Sequence, residues 1–141
     1  MYHFQSIYAM AKLVEIKTLT DDRGSLTVLD RIDQLVPFPV KRIFFINALM
    51  DVVRGGHRHH STRQVIICIN GTCTVSNHDG EIQEDFVLDG PQKCLFLETN
   101  DWHTMHEFSV NTILLVLASE YFDVSDYIYE PYPEASESFS K

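Results

Sequence analysis

The chain has 141 residues, 45% of them hydrophobic and 22% charged, an ordinary globular composition with enough length for one domain and its own core. Its formal net charge of −9 argues against nonspecific nucleic-acid binding, which runs on phosphate neutralisation. No apolar run approaches a membrane span. The start, Met1-Tyr2-His3-Phe4-Gln5-Ser6, lacks the positive region and apolar stretch of a signal peptide, so the expectation is a cytoplasmic protein.

Residues 1–11 are weakly patterned and suit a short strand or arm. Lys12-Leu13-Val14-Glu15-Ile16-Lys17 alternates apolar and polar and predicts a half-buried strand. Asp21-Asp22-Arg23-Gly24 is a turn signal, and Ser25 to Asp30 alternates again. Pro37 and Pro39 bracket a loop leading into a largely buried strand over Lys41 to Asn47. Val65 to Asn70 is nearly continuously apolar, Gly71 breaks it, and Thr72 to Ser76 returns. Asn77-His78-Asp79-Gly80 marks a hairpin, because Asp-Gly tolerates positive φ. Further strands are expected over Glu81 to Leu88, Lys93 to Glu98, His103 to Ser109 and Asn111 to Ser119. Roughly nine or ten short strands at regular spacing indicate an all-β sandwich or barrel. The tail beyond about 130 is polar and predicts disorder. Cys68, Cys73 and Cys94 show no metal spacing, and Cys68 and Cys94 read as small buried hydrophobes.

The chemistry concentrates in Arg54-Gly55-Gly56-His57-Arg58-His59-His60-Ser61-Thr62-Arg63-Gln64. Residues i and i+2 of a strand share a face, so His57 and His59 aim one way and Arg58 and His60 the other. Two imidazoles side by side make either a metal site or an acid/base site. Arg54, Arg58 and Arg63 beside them, in an acidic chain, point to a negatively charged ligand, although part of that cluster equally suits pairing with carboxylates.

His57-x-His59, then Gln64, then Gly71 resembles the first metal-binding signature of the cupins, small jelly-roll β-barrels, and His103 is placed to supply the histidine of the second. Gln64 stands where those proteins carry glutamate, and a neutral amide is a poorer ligand for a hard or borderline cation. Glu98-Thr99-Asn100 replaces the Pro-x-Gly expected before His103.

The more detailed resemblance is to the nucleotide-sugar 3,4-ketoisomerases, metal-independent cupins acting on dTDP-4-keto-6-deoxyglucose. It rests on Arg54-Gly55-Gly56-His57-Arg58-His59, Arg63-Gln64-Val65, Asp21-Asp22-Arg23-Gly24-Ser25-Leu26 and Trp102-His103-Thr104-Met105. Leu114 to Ser119 and Tyr121 through Ser125-Asp126-Tyr127-Ile128 resemble its C-terminal signature. Two departures are His60, where lysine is frequent, and Glu98 to Asp101, where a Pro-Pro-Gly turn is usual.

The resemblance implies a cupin-type jelly roll over residues 1–130, with residues 1–11 as an arm exchanged in a homodimer and 131–141 as a tail. It implies a dTDP-linked 4-keto-6-deoxy sugar as substrate and neither metal nor other cofactor. His57 and His59 become the catalytic pair, and moving a ketone from C4 to C3 through an enediol is acid/base work suited to histidine. Gln64 and His103 are positioning candidates, Arg54 and Arg23 candidates for the diphosphate, and Trp102 a candidate pocket wall. Competing expectations are a C3/C5 epimerase, a metal-dependent cupin and a binding barrel without turnover.

Overall fold

The computed structural model describes residues 11–133. Nearly all of the expected arm and the end of the expected tail lie outside the described residues. Of the tail, residues 131–133 are described, and Tyr132 packs its ring against His78 and donates its hydroxyl to the Asn100 carbonyl.

The all-β expectation holds. Strands β1 (Lys12–Glu15), β4 (Arg42–Ala48), β6 (Gln64–Asn70), β9 (Lys93–Leu97) and β11 (Thr112–Ala118) form one antiparallel sheet in the order β1-β9-β6-β11-β4. The second runs β12-β5-β10-β7-β8, from β5 (Arg54–His59), β7 (Cys73–His78), β8 (Gln83–Leu88), β10 (Trp102–His106) and β12 (Tyr127–Ile128). A separate ribbon pairs β2 (Thr18–Asp21) with β3 (Gly24–Thr27) around the Asp22-Arg23 turn. One α-turn, α1 (Ile32–Leu35), and a 3-10 turn at Val124–Asp126 complete the elements among the described residues.

The two sheets close over one core built from alternate residues: Ile66 and Cys68 of β6, Leu114 and Val116 of β11, Val75 of β7 and Met105 of β10 are all buried there. The opposite face of the first sheet is covered as well. Val65, Ile67 and Leu117 pack against Leu35, Val36 and the half-buried Leu29, Phe38 and Val40 of the 28–40 segment. That second layer explains why Val65 to Cys68 reads as continuously apolar, since a strand covered on both faces has no side for polar residues. Burial of these strands on both sides fixes the register of β6 against β11, and so fixes Gln64 at the end of the inward-facing row of Ile66 and Cys68.

Candidate active site

Strand β5 carries the histidine cluster, and its geometry departs from plain alternation at one point. His57 pairs with His103 of β10, yet Gly55 pairs with Thr104 and Arg54 with Met105. Two steps along β10 are thus matched by three along β5, with Gly56 as the extra residue of a bulge. Gly55 and Gly56 take φ values of +84° and +79°, which cost a glycine little. A Cβ on Gly55 would lie 2.9 Å from the His103 carbonyl oxygen, so the strands approach this closely only because that residue has no side chain. The bulge re-aims the strand. Arg54, three residues before His57, therefore faces the same cavity as His57, where strict alternation would have turned it away.

That cavity, about 360 Å³, opens between the sheets. His57, His103 and Met105 contribute from one sheet, Gln64, Ile66 and Val116 from the other, and Arg54, Tyr127 and Tyr129 line its exposed side. The His57 ring is central. It lies 4.9 Å from the His59 ring, 5.1 Å from His103 and 4.7 Å from Tyr127, all edge-on. His59 shares the face of His57, as the spacing requires, but does not line the cavity; only 3% of it is exposed.

What holds His59 is Asp126. Its Oδ2 lies 2.9 Å from His59 Nδ1 and accepts from the Thr62 hydroxyl, while Oδ1 accepts from the Ser61 N–H at 2.7 Å. Burial pushes the Asp126 carboxyl up, but the bonds from Thr62, Ser61 and His59 outweigh it and hold the group below its ordinary value. An ionised carboxylate only accepts hydrogen bonds, so the proton sits on His59 Nδ1 and the lone pair on Nε2. That Nε2 is buried without a partner.

All three imidazoles are pushed toward the neutral form. Burial lowers His57 to about 4, with the neighbouring His59 adding to it. Burial likewise lowers His59, against the pull of Asp126, and nearby Arg42 lowers it further. His103 is lowered to about 3 by burial. Its Nδ1 lies 3.1 Å from the Asp101 carbonyl; a carbonyl only accepts, so Nδ1 carries the proton and Nε2 the lone pair.

The other expected site residues distribute as follows. Gln64 and Arg54 line the cavity, and no ion pair ties Arg54 among the described residues. Arg23 lies off it, at the tip of the β2–β3 ribbon, paired with Asp21 at 2.6 Å and with 86% of its side chain exposed. Trp102 is not a wall of this cavity. It precedes the inward His103, so it faces outward, where its indole N–H donates to the Tyr129 carbonyl at 3.1 Å and secures the C-terminal segment. Of the other arginines, Arg63 forms a two-pronged pair with Glu98 and bonds the Pro37 carbonyl, and Arg58 lies over the Tyr132 ring. Asp126 and the cavity-lining Tyr127 belong to the C-terminal stretch that resembles the family signature, but nothing in the sequence gives either a role at the site. The short Ser125-Asp126-Tyr127 stretch was their only signal.

Among the described residues no group of three His, Cys, Asp or Glu side chains is arranged to hold a metal ion. Gln64 stands where the glutamate of a cupin metal set would be, and its neutral amide is a poorer ligand for a hard or borderline cation than a carboxylate.

Comparison with known proteins identifies the family. The model of the FdtA family, described as WxcM-like, C-terminal, matches residues 9–136. The chain belongs to this family. A TDP-4-oxo-6-deoxy-alpha-D-glucose-3,4-oxoisomerase from Aneurinibacillus thermoaerophilus is 38% identical over 118 residues, covering 83% of this chain and 84% of that protein. Among solved structures, a doubly substituted QdtA 3,4-ketoisomerase from Thermoanaerobacterium thermosaccharolyticum in complex with TDP superposes with a TM-score of 0.80 at 34% identity, covering 96% of this chain and 100% of the other. A singly substituted variant of the same enzyme, in complex with TDP-4-keto-6-deoxyglucose, gives 0.79 at 33% identity, covering 89% and 90%.

Proposed function

We propose that this FdtA-family protein is a sugar-nucleotide 3,4-ketoisomerase that converts dTDP-4-keto-6-deoxyglucose to the dTDP-3-keto-6-deoxyhexose by histidine-mediated proton transfer without metal. The observation that carries the reading is His57, a neutral imidazole on the cavity wall, backed by the His59–Asp126 pair and flanked by His103. The named activity of the 38% identical relative and the ligands of the solved neighbours supply the substrate class.

The reaction moves two protons. One leaves C3 and another arrives at C4, while the hydroxyl proton of O3 is exchanged for one on O4 through the enediol. A base held neutral at working pH performs the carbon transfer without first having to lose a proton. Of the pair His57 and His59, His57 is the one that lines the cavity, so it is assigned that transfer. His59 stands behind it as a second acceptor, its Nε2 lone pair set by Asp126. The enediolate carries developing negative charge, and the Gln64 amide NH2 borders the same space as a donor to it, while His103, whose Nε2 is an acceptor, is placed to take a hydrogen bond from a sugar hydroxyl. Arg54, re-aimed by the bulge and without an ion pair among the described residues, meets the diphosphate. Arg23, off the cavity on its own chain, joins it only where the ligand extends beyond the mouth or a second copy brings its cavity near. Trp102 acts indirectly, through Tyr129.

The proposal includes a homodimer working in the cytoplasm. Exposed Ile43 and Phe45 on the edge strand β4, and exposed Leu19 and Leu26 on the ribbon, are the apolar surface that supports it. No helix among the described residues is long and apolar enough to cross a membrane.

The test is incubation of the purified protein with dTDP-4-keto-6-deoxyglucose, with products followed by NMR. The 3-keto product is expected from the wild-type chain and none from His57→Asn, which should still bind dTDP. Product formation by His57→Asn at the wild-type rate overturns the assignment.

A further inference from the structure

The turn between β9 and β10, Glu98-Thr99-Asn100-Asp101, presents three backbone carbonyls to the site and its cover. The Thr99 carbonyl accepts from the His59 backbone N–H at 3.2 Å and the Asp101 carbonyl accepts from His103 Nδ1 at 3.1 Å. The Asn100 carbonyl accepts from the Tyr132 hydroxyl at 2.7 Å. One four-residue turn thus holds two of the three site histidines and the C-terminal segment that brings Tyr127 and Tyr129 to the cavity.

A turn rich in proline is stiff because its φ angles are fixed. This turn has no proline; the Glu98–Arg63 pair and the Asn100 Nδ2 bond to the Asp79 carbonyl anchor its outer side, and on its buried side one side chain bridges it. Asp101 Oδ2 accepts from the Glu98 N–H at 2.7 Å, Oδ1 accepts from Asn77 Nδ2 at 2.8 Å, and the Asp101 N–H returns to the Glu98 carbonyl at 3.1 Å. Asp101 is 1% exposed. A carboxyl so placed is costly to bury, and nothing in the proton transfers uses it.

We propose that Asp101 is a positioning residue of the isomerase site: it clamps the 98–101 turn so that the carbonyls of that turn hold His103 in one orientation and tautomer and fix the backbone of His59. Its catalytic consequence rests on the ketoisomerase reading; its hold on His103 does not. Burial also raises the Asp101 carboxyl to about 6, against its bonds from Asn77 and Glu98, with Asp79 and Glu98 contributing repulsion. The clamp is therefore geometric before it is ionic. In Asp101→Asn the amide oxygen can keep the Glu98 N–H. Its NH2 then faces Asn77, whose Oδ1 is now buried without a partner and becomes an acceptor when that amide turns around.

The test compares Asp101→Ala with Asp101→Asn in the full chain. Misplacing a catalytic constellation by about an ångström costs on the order of 10²-fold, so Asp101→Ala should lower kcat by about that factor while dTDP affinity, read by calorimetry, is unchanged. Asp101→Asn should restore kcat. Long-range 1H–15N spectra should show His103 as a single Nδ1–H tautomer in the wild type and Asp101→Asn, and as averaged tautomers in Asp101→Ala. If Asp101→Ala does not fold, Asn77→Ala replaces it with the same expected loss of kcat and of tautomer. Wild-type kcat and a single tautomer in the truncated variant overturn the proposal, as does equal loss of kcat in Asp101→Asn. If the wild type turns over no substrate, the isomerase reading falls and the spectra alone decide the role of Asp101.

Discussion

Replacing Asp126 by asparagine reverses the proton on a buried histidine without altering its shape. In the wild type the carboxylate accepts three hydrogen bonds, from His59 Nδ1, Ser61 N–H and Thr62 Oγ1. An asparagine that keeps the Ser61 bond through its oxygen must point its NH2 at His59 Nδ1. His59 then has to accept there and carry its proton on Nε2, so the lone pair that stands behind His57 disappears. General acid/base groups contribute about 10²–10⁴-fold, and kcat should fall within that range while dTDP binding through Arg54 is retained. Loss of one hydrogen bond to a charged, partly buried group costs about 1.5–3 kcal/mol, a drop in Tm of roughly 5–10 °C for a chain of this size. The assay is steady-state turnover of dTDP-4-keto-6-deoxyglucose alongside thermal unfolding. An Asp126→Asn enzyme with wild-type kcat and the lowered Tm would show that Asp126 only supports the fold, and would refute the tautomer argument.

Burial and the neighbouring His59 lower His57 from its ordinary 6.5 to about 4, and the proposed proton transfer uses its neutral form. The acid limb of kcat/KM should therefore fall near pH 4; a limb near 6.5 contradicts the assignment. The same sign governs stability. His57 and the still lower His103 favour the folded state fully above pH 6.5, and that advantage is lost as pH falls toward 4, which acid unfolding monitored by circular dichroism would show. Asp101, raised to about 6, acts oppositely and favours the folded state at the acid end of that window. Gly55→Ala forces a Cβ to within 2.9 Å of the His103 carbonyl at positive φ; it should cost about 1–3 kcal/mol and weaken dTDP binding as Arg54 is displaced, measured by thermal shift and calorimetry. Trp102→Phe removes only the bond to the Tyr129 carbonyl, worth about 1 kcal/mol, so dTDP affinity should drop by about fivefold at most, whereas loss on the order of 100-fold would make Trp102 a direct wall of the ligand site.

The sequence legibility of this site follows strand periodicity and stops where periodicity is broken or distance intervenes. The two-residue spacing of His57 and His59 was enough to place both rings on one face. The turn signals at Asp22-Arg23 and Asp79-Gly80 were enough to place two hairpins. Arg54 was named for its charge, but its direction depends on a bulge that only pairing with β10 reveals. The Trp102-His103-Thr104-Met105 motif marks Trp102 as a candidate wall by resemblance, but neighbours in a strand face opposite ways, and with His103 inward Trp102 lies outside this cavity. Asp126 is 67 residues from His59, and no local pattern tells an aspartate that orients a histidine from one that starts a turn. The depth difference between His57 and His59 likewise arises from the 98–101 turn and β12 covering the end of β5, contacts that sequence spacing does not encode.

In the proposed reaction this cavity takes one proton from C3 and delivers another to C4 of a dTDP-linked 4-keto sugar. Incubation with dTDP-4-keto-6-deoxyglucose in D2O, with and without EDTA, followed by 1H and 13C NMR, tests it most directly. The account predicts a 3-keto product, any deuterium confined to C3 and C4, and no effect of the chelator. Deuterium at C5, or an unaltered 4-keto sugar, would contradict it.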